Sequence, residues 1–195
     1  MNLRYLAYIS DIVWVLPAFR QFSGRYKNYF IIVGLAGIIS NTLQFIPHFM
    51  VYVNYTGLFM SALLVATAWG RDNSSQKKYV QYALLIVVSI IFMLFREKQM
   101  NALGMLFLHL LVMLIFLSNV VLETVSTKSV NLFLFMMVLY ELSIVVRFFM
   151  AITSTVPSIY YYHFSIIFEM LVGLFFSIFV EENPKFHIKL APELP

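Results

Sequence analysis

Residues 101–125 read NALGMLFLHLLVMLIFLSNVVLETV, and this stretch decides the fold class of the chain. A helix needs about 20 mostly apolar residues to cross the roughly 30 Å hydrocarbon core of a bilayer, and this stretch satisfies that requirement. Its few polar residues repeat at helical spacing, because His109, Asn119 and Glu123 share one face with Phe116. The stretch therefore predicts a membrane-spanning helix with one polar face.

Similar apolar stretches, separated by short polar breaks, follow one another along the whole chain. Hydrophobic residues make up 62% of the 195 residues and charged residues 11%, which leaves no segment polar enough for a soluble domain. We predict an all-α, polytopic integral membrane protein with a bundle of seven transmembrane helices. The predicted spans are Leu3–Phe22, Asn28–Pro47, Phe49–Gly70, Lys78–Arg96, Asn101–Val125, Ser129–Thr153 and Ser158–Val180.

The first span is the least regular, because Arg4, Asp11, Pro17 and Arg20 lie within it. A six-span topology is the alternative if this segment does not insert. We do not expect a cleavable signal peptide, since Asp11 interrupts the apolar run and no small-residue cleavage site follows. Residues 1–180 are thus predicted to form a single membrane domain, and residues 181–195 a short cytoplasmic tail.

Lysine and arginine are distributed unequally between the two ends of the predicted spans, and the richer side is expected to face the cytoplasm. One side collects Arg20, Arg25, Lys27, Arg71, Lys77, Lys78, Lys128, Lys185 and Lys189, and the other collects Arg4, Arg96 and Lys98. We predict a plasma-membrane protein, in a bacterial inner membrane or its equivalent, with the N-terminus outside and the C-terminus in the cytoplasm. The net charge of +4 does not indicate nucleic-acid binding, because the basic residues lie at helix ends.

Polar and small residues in several spans fall three, four or seven positions apart and therefore share a helix face. These stripes are Gly34, Gly37, Asn41, Gln44 and His48 in the second span, Asn54, Gly57 and Ser61 in the third, Tyr140, Ser143 and Arg147 in the sixth, and Tyr162, Ser165, Glu169 and Gly173 in the seventh. Glycines at such positions favour close helix packing. The fourth span has only Ser89 well inside it, which predicts a peripheral or lipid-facing helix.

The polar residues at membrane depth predict a ligand-binding pocket in the outer half of the bundle, because such side chains usually point inward. The predicted site residues are Asp11, Asn41, Gln44, Asn54, His109, Glu141, Arg147 and Glu169. Interhelical hydrogen bonding by the amides and a structural ion-pair network among the charges are the alternatives. The inner half is mostly apolar, which argues against an ion channel or a proton pump.

Several function classes are excluded or disfavoured by what the sequence lacks. The chain contains no cysteine, which excludes disulfides, thiolate metal sites and a cysteine nucleophile. It contains no HExxH, GxSxG or phosphate-binding glycine-rich motif, and we expect neither a metal nor a cofactor. The span count and orientation resemble those of rhodopsins and G-protein-coupled receptors. The last span, Ser158–Val180, however contains no lysine to form a Schiff base with retinal.

These features favour a non-enzymatic sensor or accessory subunit that binds a small or lipid-like ligand. It would signal through a membrane or cytoplasmic protein partner, and a homo-oligomer is a further possibility. The first alternative is an integral-membrane enzyme on a lipid or isoprenoid substrate, with a protonated Glu141 or Glu169 as general acid and His109 assisting. The second is a structural subunit of a larger membrane complex, which 20 phenylalanines and 11 methionines would suit.

The tail segment Phe186–Leu190 alternates apolar and polar residues. Such a segment can add as a strand to a partner protein. A disordered tail is the alternative prediction for this segment.

Overall fold

The computed structural model describes residues 3–45, 52–68, 98–153, 159–181 and 187–189, together with the single positions 79, 83 and 87. Within these residues the protein is helical apart from two short strands and the turns between elements, which confirms the all-helical class. The helices are α1 (Leu3–Arg20), α2 (Lys27–Phe45), α3 (Tyr52–Ala68), α4 (Lys98–Thr127), α5 (Leu132–Thr153) and α6 (Ile159–Ile178). The strands β1 (Ser129–Asn131) and β2 (His187–Lys189) pair in antiparallel register.

Two of the described helices have the composition of membrane segments. Two described stretches, Met100–Thr127 and Leu132–Thr153, are long and apolar enough to cross a membrane. Large apolar side chains also cover the outward faces of the bundle. Those that are at least 60% exposed include Phe19, Phe107, Leu122, Phe164 and Leu171. Extended apolar surface of this kind marks contact with lipid or with another protein. These observations support a membrane protein.

Contacts between neighbouring helices fix their relative directions. Helices α1 and α2 run antiparallel, because Asp11 lies against Gly37 and the later Trp14 lies against the earlier Gly34. The glycines allow this approach, since a Cβ at Gly34 would lie 3.2 Å from the Trp14 carbonyl oxygen. Close packing at these two glycines is what their helical spacing predicts.

Helices α3 and α4, by contrast, run parallel. The Met105 side chain lies against Gly57, and one turn further along both helices Ser61 contacts His109. Helix α3 has 17 residues and is therefore about 25 Å long at 1.5 Å per residue. The chain consequently leaves α3 at one end of the bundle and enters α4 at the other end.

The predicted fourth span, Lys78–Arg96, lies outside the described residues apart from three positions. Tyr79, Ala83 and Val87 are helical and exposed. They are four residues apart and therefore share one face of a helix. The peripheral or lipid-facing position of this segment stays a prediction.

One end of the bundle, where α1 ends and α2 begins, is filled by aromatic rings and is here named the aromatic end. Its rings belong to Tyr29, Phe30, Phe116, Phe133 and Phe176, which are fully buried. They pack edge to face with centroids 5.0–6.0 Å apart. Each such pair adds about 0.5–1.5 kcal/mol beyond the burial of its area. The apolar closure predicted for one half of the bundle therefore corresponds to a dense aromatic cluster.

A buried glutamine, Gln21, joins two segments of the chain at the aromatic end by hydrogen bonds. The Gln21 Nε2 group donates hydrogen bonds of 2.7 Å to the carbonyl oxygens of Phe176 and Phe179. Carbonyl groups at the end of a helix have no partner within that helix. Gln21 therefore satisfies the end of α6 and fastens it to the turn that follows α1.

Helix α5 begins at Leu132 rather than at Ser129, where the sixth predicted span begins. Asn131 ends β1, and its Oδ1 accepts hydrogen bonds from the backbone N–H groups of Phe133 and Leu134. This arrangement is an N-cap, which asparagine favours. The cap and the strand pairing together move the start of the helix beyond the first apolar residue. The other described helices begin and end within a few residues of the predicted bounds.

The tail segment forms a strand within the chain itself. His187, Ile188 and Lys189 pair with Asn131, Val130 and Ser129 respectively. The alternating pattern therefore corresponds to a strand over residues 187–189, and this strand pairs with β1 between α4 and α5. The pairing places residues 187–189 beside the aromatic end of the bundle. Docking of the tail on a partner protein stays a prediction.

Candidate functional site

A pocket of about 270 Å³ lies between the six described helices. This volume is just below the roughly 300–1,000 Å³ typical of ligand sites. The polar and aromatic lining consists of Ser10, Asp11, Trp14, Ser61, His109, Tyr140, Arg147, Phe148 and Glu169. The apolar lining includes Val33, Met60, Leu64, Met105, Ile144 and Ile166. The pocket can therefore accept a molecule with one polar and one apolar part.

Four of the residues predicted from the sequence meet in this pocket, namely Asp11, His109, Arg147 and Glu169. Glu141 does not line the pocket, because it lies fully buried behind His109. The remaining predicted residues, Asn41, Gln44 and Asn54, belong to α2 and α3, but their side chains lie outside the described residues. A ligand-binding role for these eight residues stays a prediction.

An ion pair joins α5 to α6 across the pocket. Arg147 Nη1 lies 2.9 Å from Glu169 Oε1 and 3.2 Å from Glu169 Oε2. The Arg147 side chain is 27% exposed, whereas the Glu169 side chain is 9% exposed. The buried carboxylate therefore depends on this guanidinium for its neutralisation, since an isolated charge in a protein interior is costly.

Asp11 enters the pocket from α1 beside a glycine of α2. A Cβ atom at Gly37 would lie 2.6 Å from Asp11 Oδ1, so a larger residue there would displace the carboxylate. Asp11 Oδ2 and Trp14 Nε1 are buried and find no hydrogen-bond partner among the described residues. The pocket thus holds a carboxylate acceptor and an indole donor that a bound molecule could satisfy.

A hydrogen-bonded chain of four side chains connects the pocket with the aromatic end. Ser61 Oγ lies 3.0 Å from His109 Nε2, and His109 Nδ1 lies 2.7 Å from Glu141 Oε2. The Tyr29 hydroxyl donates to Glu141 Oε1. Ser61 Oγ also lies 2.8 Å from the carbonyl oxygen of Gly57, one turn earlier in α3. The chain fastens α2, α3, α4 and α5 together around a carboxyl group that is 0% exposed.

The site also contains residues that were not among those predicted, including Ser61, Tyr29 and Trp14. Ser61 carried a signal, because it shares the polar stripe of Asn54 and Gly57. Tyr29 and Trp14 carried none, since aromatic residues in spans commonly serve packing or the interfacial belts. Their roles depend on which neighbouring helix they meet.

The described residues contain no group of three or more His, Asp and Glu side chains that could hold a metal ion. No protein-family model, curated protein or solved structure matches the chain.

Proposed function

We propose that this protein is a seven-span plasma-membrane protein that binds a small or lipid-like ligand in the pocket and acts through a protein partner. The observation that carries the proposal is the pair of buried groups, Asp11 Oδ2 and Trp14 Nε1, without partners among the described residues. A buried polar group without a hydrogen bond costs about 1–3 kcal/mol. A ligand that satisfies both groups is therefore favoured over an empty pocket.

The charges of the pocket indicate the chemistry of this ligand. Arg147 and Glu169 neutralise each other, whereas Asp11 forms no ion pair with any described residue. A hydroxyl or ammonium group on the ligand would donate to the Asp11 carboxylate, and such a charge-assisted bond is stronger than a neutral one. Met60, Leu64 and Ile166 offer an apolar surface for the rest of the molecule.

The direction of the helices supports seven spans. Because α3 and α4 run parallel, the chain between Ala68 and Lys98 has to return along the length of the bundle. One more membrane crossing between Ala68 and Lys98 would make consecutive spans run in opposite directions. Short connecting loops require that alternation. Helix α1 packs against both α2 and α6, which supports its inclusion as the first span.

The proposed orientation can be tested with single cysteines, because the natural chain has none. Ser23, Ser126 and Thr153 are exposed in the structure, the first two at the aromatic end and the third at the opposite end. A membrane-impermeant maleimide is expected to label Thr153→Cys in intact cells. Ser23→Cys and Ser126→Cys should react only after permeabilisation. Labelling of Ser23→Cys in intact cells would reverse the proposed orientation.

Ligand binding is expected to depend on the Asp11 carboxylate. Asp11→Asn keeps the shape of the side chain but removes the charge, and a hydrogen bond to a charged group is worth about 1.5–3 kcal/mol. We expect the affinity of the pocket for its ligand to fall about 10-fold to 100-fold. Native mass spectrometry of protein purified gently from its own membrane would measure the small-molecule adduct.

The matched control is Glu123→Gln, which changes a carboxyl group of α4 that bonds to Asn131 outside the pocket. This variant should keep the adduct at the level of the unsubstituted protein. An adduct of equal intensity in the Asp11→Asn protein would contradict the proposed pocket, and so would the absence of an adduct from the unsubstituted protein.

A further inference from the structure

We propose that Ser61, His109 and Glu141 form a hydrolytic triad that cleaves an ester bound in the pocket. Ser61 is the nucleophile, His109 is the general base, and the Glu141 carboxylate orients His109. The Ser61 Oγ to His109 Nε2 distance is 3.0 Å and the His109 Nδ1 to Glu141 Oε2 distance is 2.7 Å. Both lie within the roughly 2.6–3.2 Å that proton transfer between such groups requires. Arrangements of this type are recognised by geometry and role rather than by sequence order.

The surroundings of Glu141 fix the tautomer of His109. One carboxylate oxygen accepts a hydrogen bond from Tyr29 and the other faces His109 Nδ1. The triad requires an ionised Glu141, which only accepts hydrogen bonds, so that Nδ1 carries the hydrogen. The lone pair of Nε2 then faces Ser61, as a general base must. Glu141 lies behind His109 and outside the pocket lining, so its role is to orient the base.

Ser61 has two acceptors within reach, and they correspond to the two protonation states of His109. When Nε2 is free, the hydroxyl donates to it at 3.0 Å. When Nε2 carries a proton, the hydroxyl turns to the Gly57 carbonyl oxygen at 2.8 Å. Before it reacts, the serine hydroxyl therefore has an acceptor in either protonation state of the imidazole.

The reaction balances with water as the second reactant. Ser61 Oγ attacks the ester carbonyl carbon while its proton moves to His109 Nε2, and a C–O bond forms. The bond to the alcohol then breaks, and the alcohol leaves with the proton from Nε2. Water attacks the resulting acyl-serine, gives one proton to Nε2, and releases a carboxylic acid as Oγ regains its hydrogen.

The negative charge of the intermediate has to be stabilised by a side chain. Ser61 lies inside α3, where the backbone N–H groups are engaged in helical hydrogen bonds and cannot serve. Arg147 lines the same pocket and carries a permanent positive charge. A positively charged group stabilises a developing negative charge more strongly in a site that excludes water. Arg147 is therefore assigned to the charge that develops on the carbonyl oxygen.

The substrate class follows from what surrounds the serine. Met60, Leu64 and Met105 line the pocket on α3 and α4, beside Ser61 and His109. The ionisable groups Asp11 and Arg147 enter from α1 and α5. An ester with an aliphatic acyl chain and a polar head group fits this division. This inference rests on the proposed function, because the substrate has to occupy the same pocket.

The test uses the full-length protein in lipid nanodiscs and an alkyl fluorophosphonate, which phosphonylates the oxygen of an activated serine and releases fluoride. Peptide mass spectrometry is expected to find the label on Ser61. Hydrolysis of p-nitrophenyl butyrate and p-nitrophenyl decanoate is expected to fall at least about a thousandfold in Ser61→Ala and in His109→Gln. Ser177→Ala is the matched control, since Ser177 also bonds to a carbonyl one turn earlier, that of Gly173, and lies outside the pocket lining.

The outcomes separate this inference from the proposed function. Labelling at Ser61, with turnover lost in Ser61→Ala and kept in Ser177→Ala, supports the inference. Folded protein that retains its small-molecule adduct but is neither labelled nor active overturns the inference and leaves the ligand-binding proposal intact. Equal turnover by the Ser61→Ala protein also overturns it. Site mapping on the unsubstituted protein needs no variant and so does not depend on variant folding.

Discussion

Replacing Arg147 with methionine is expected to lower the free energy of unfolding by about 3–5 kcal/mol. The Glu169 carboxylate would remain buried with its guanidinium partner removed, and breaking a buried pair from one side has a cost of this size. Methionine retains much of the aliphatic bulk of arginine, so the loss should reflect the charge rather than a cavity. Reversible unfolding in mixed detergent micelles would measure the difference.

The double variant Arg147→Met with Glu169→Leu is expected to recover most of this stability. Apolar replacement of both partners of a buried ion pair is often neutral or stabilising. The two substitutions should therefore couple strongly in a double-mutant cycle, by about 2–4 kcal/mol. Additive effects would show that Glu169 does not depend on Arg147 and would contradict the ion pair as the main interaction between these groups.

The double variant also separates the two interpretations that the sequence leaves open. If the charges form only a structural network, the stable double variant should keep any bound small molecule. If they belong to a binding site, the adduct should be lost even though the bundle is as stable as before. The same preparation therefore answers both questions, because stability and binding are measured separately.

The meeting of Asp11, His109, Arg147 and Glu169 could be predicted from spacing and hydropathy. A charged side chain within an apolar helix is costly when it faces lipid, so the polar faces of different helices have to turn toward one another. The period of each helix is sufficient for this prediction. It gives the inward-facing residues of α1, α4, α5 and α6, and in the structure these residues line one pocket.

The contacts of Ser61 and Glu141 could not be predicted in the same way. Spacing within a helix gives the face of a residue but not the height at which two helices meet. The pairing of Ser61 with His109 depends on the close approach of α3 and α4, where Met105 packs against Gly57. The start of α5 was missed for a related reason, because β1 pairs with a tail segment far along the chain.

Substitutions of Glu141 are expected to separate its structural role from its role in orienting His109. Glu141→Leu removes both acceptors and leaves the Tyr29 hydroxyl and a His109 N–H buried without partners. Each unsatisfied group costs about 1–3 kcal/mol, so we expect the free energy of unfolding to fall by about 2–6 kcal/mol. Unfolding in mixed micelles would measure this loss. Tyr29→Phe, which removes one donor and keeps the carboxylate, should lose much less.

Glu141→Gln is expected to change stability little and to reverse the tautomer of His109. The amide oxygen can still accept from Tyr29, but the amide NH₂ then faces His109 Nδ1, which has to become an acceptor. The hydrogen moves to Nε2, and the Ser61 hydroxyl is left with the Gly57 carbonyl. Nitrogen NMR of the histidine ring would show the exchange, because the two ring nitrogens are distinct.

Glu141→Gln is expected to lower the reactivity of Ser61 far more than it lowers the stability of the protein. With hydrogen on Nε2 the imidazole cannot accept the Ser61 proton, and a wrong tautomer of this kind has a cost of about 10⁴ in rate where a serine triad operates. Fluorophosphonate labelling should therefore nearly vanish in Glu141→Gln and persist in Tyr29→Phe, which keeps the tautomer. A reversed tautomer with unchanged labelling would show that the base lies elsewhere. An unchanged tautomer would show that Glu141 does not control the ring.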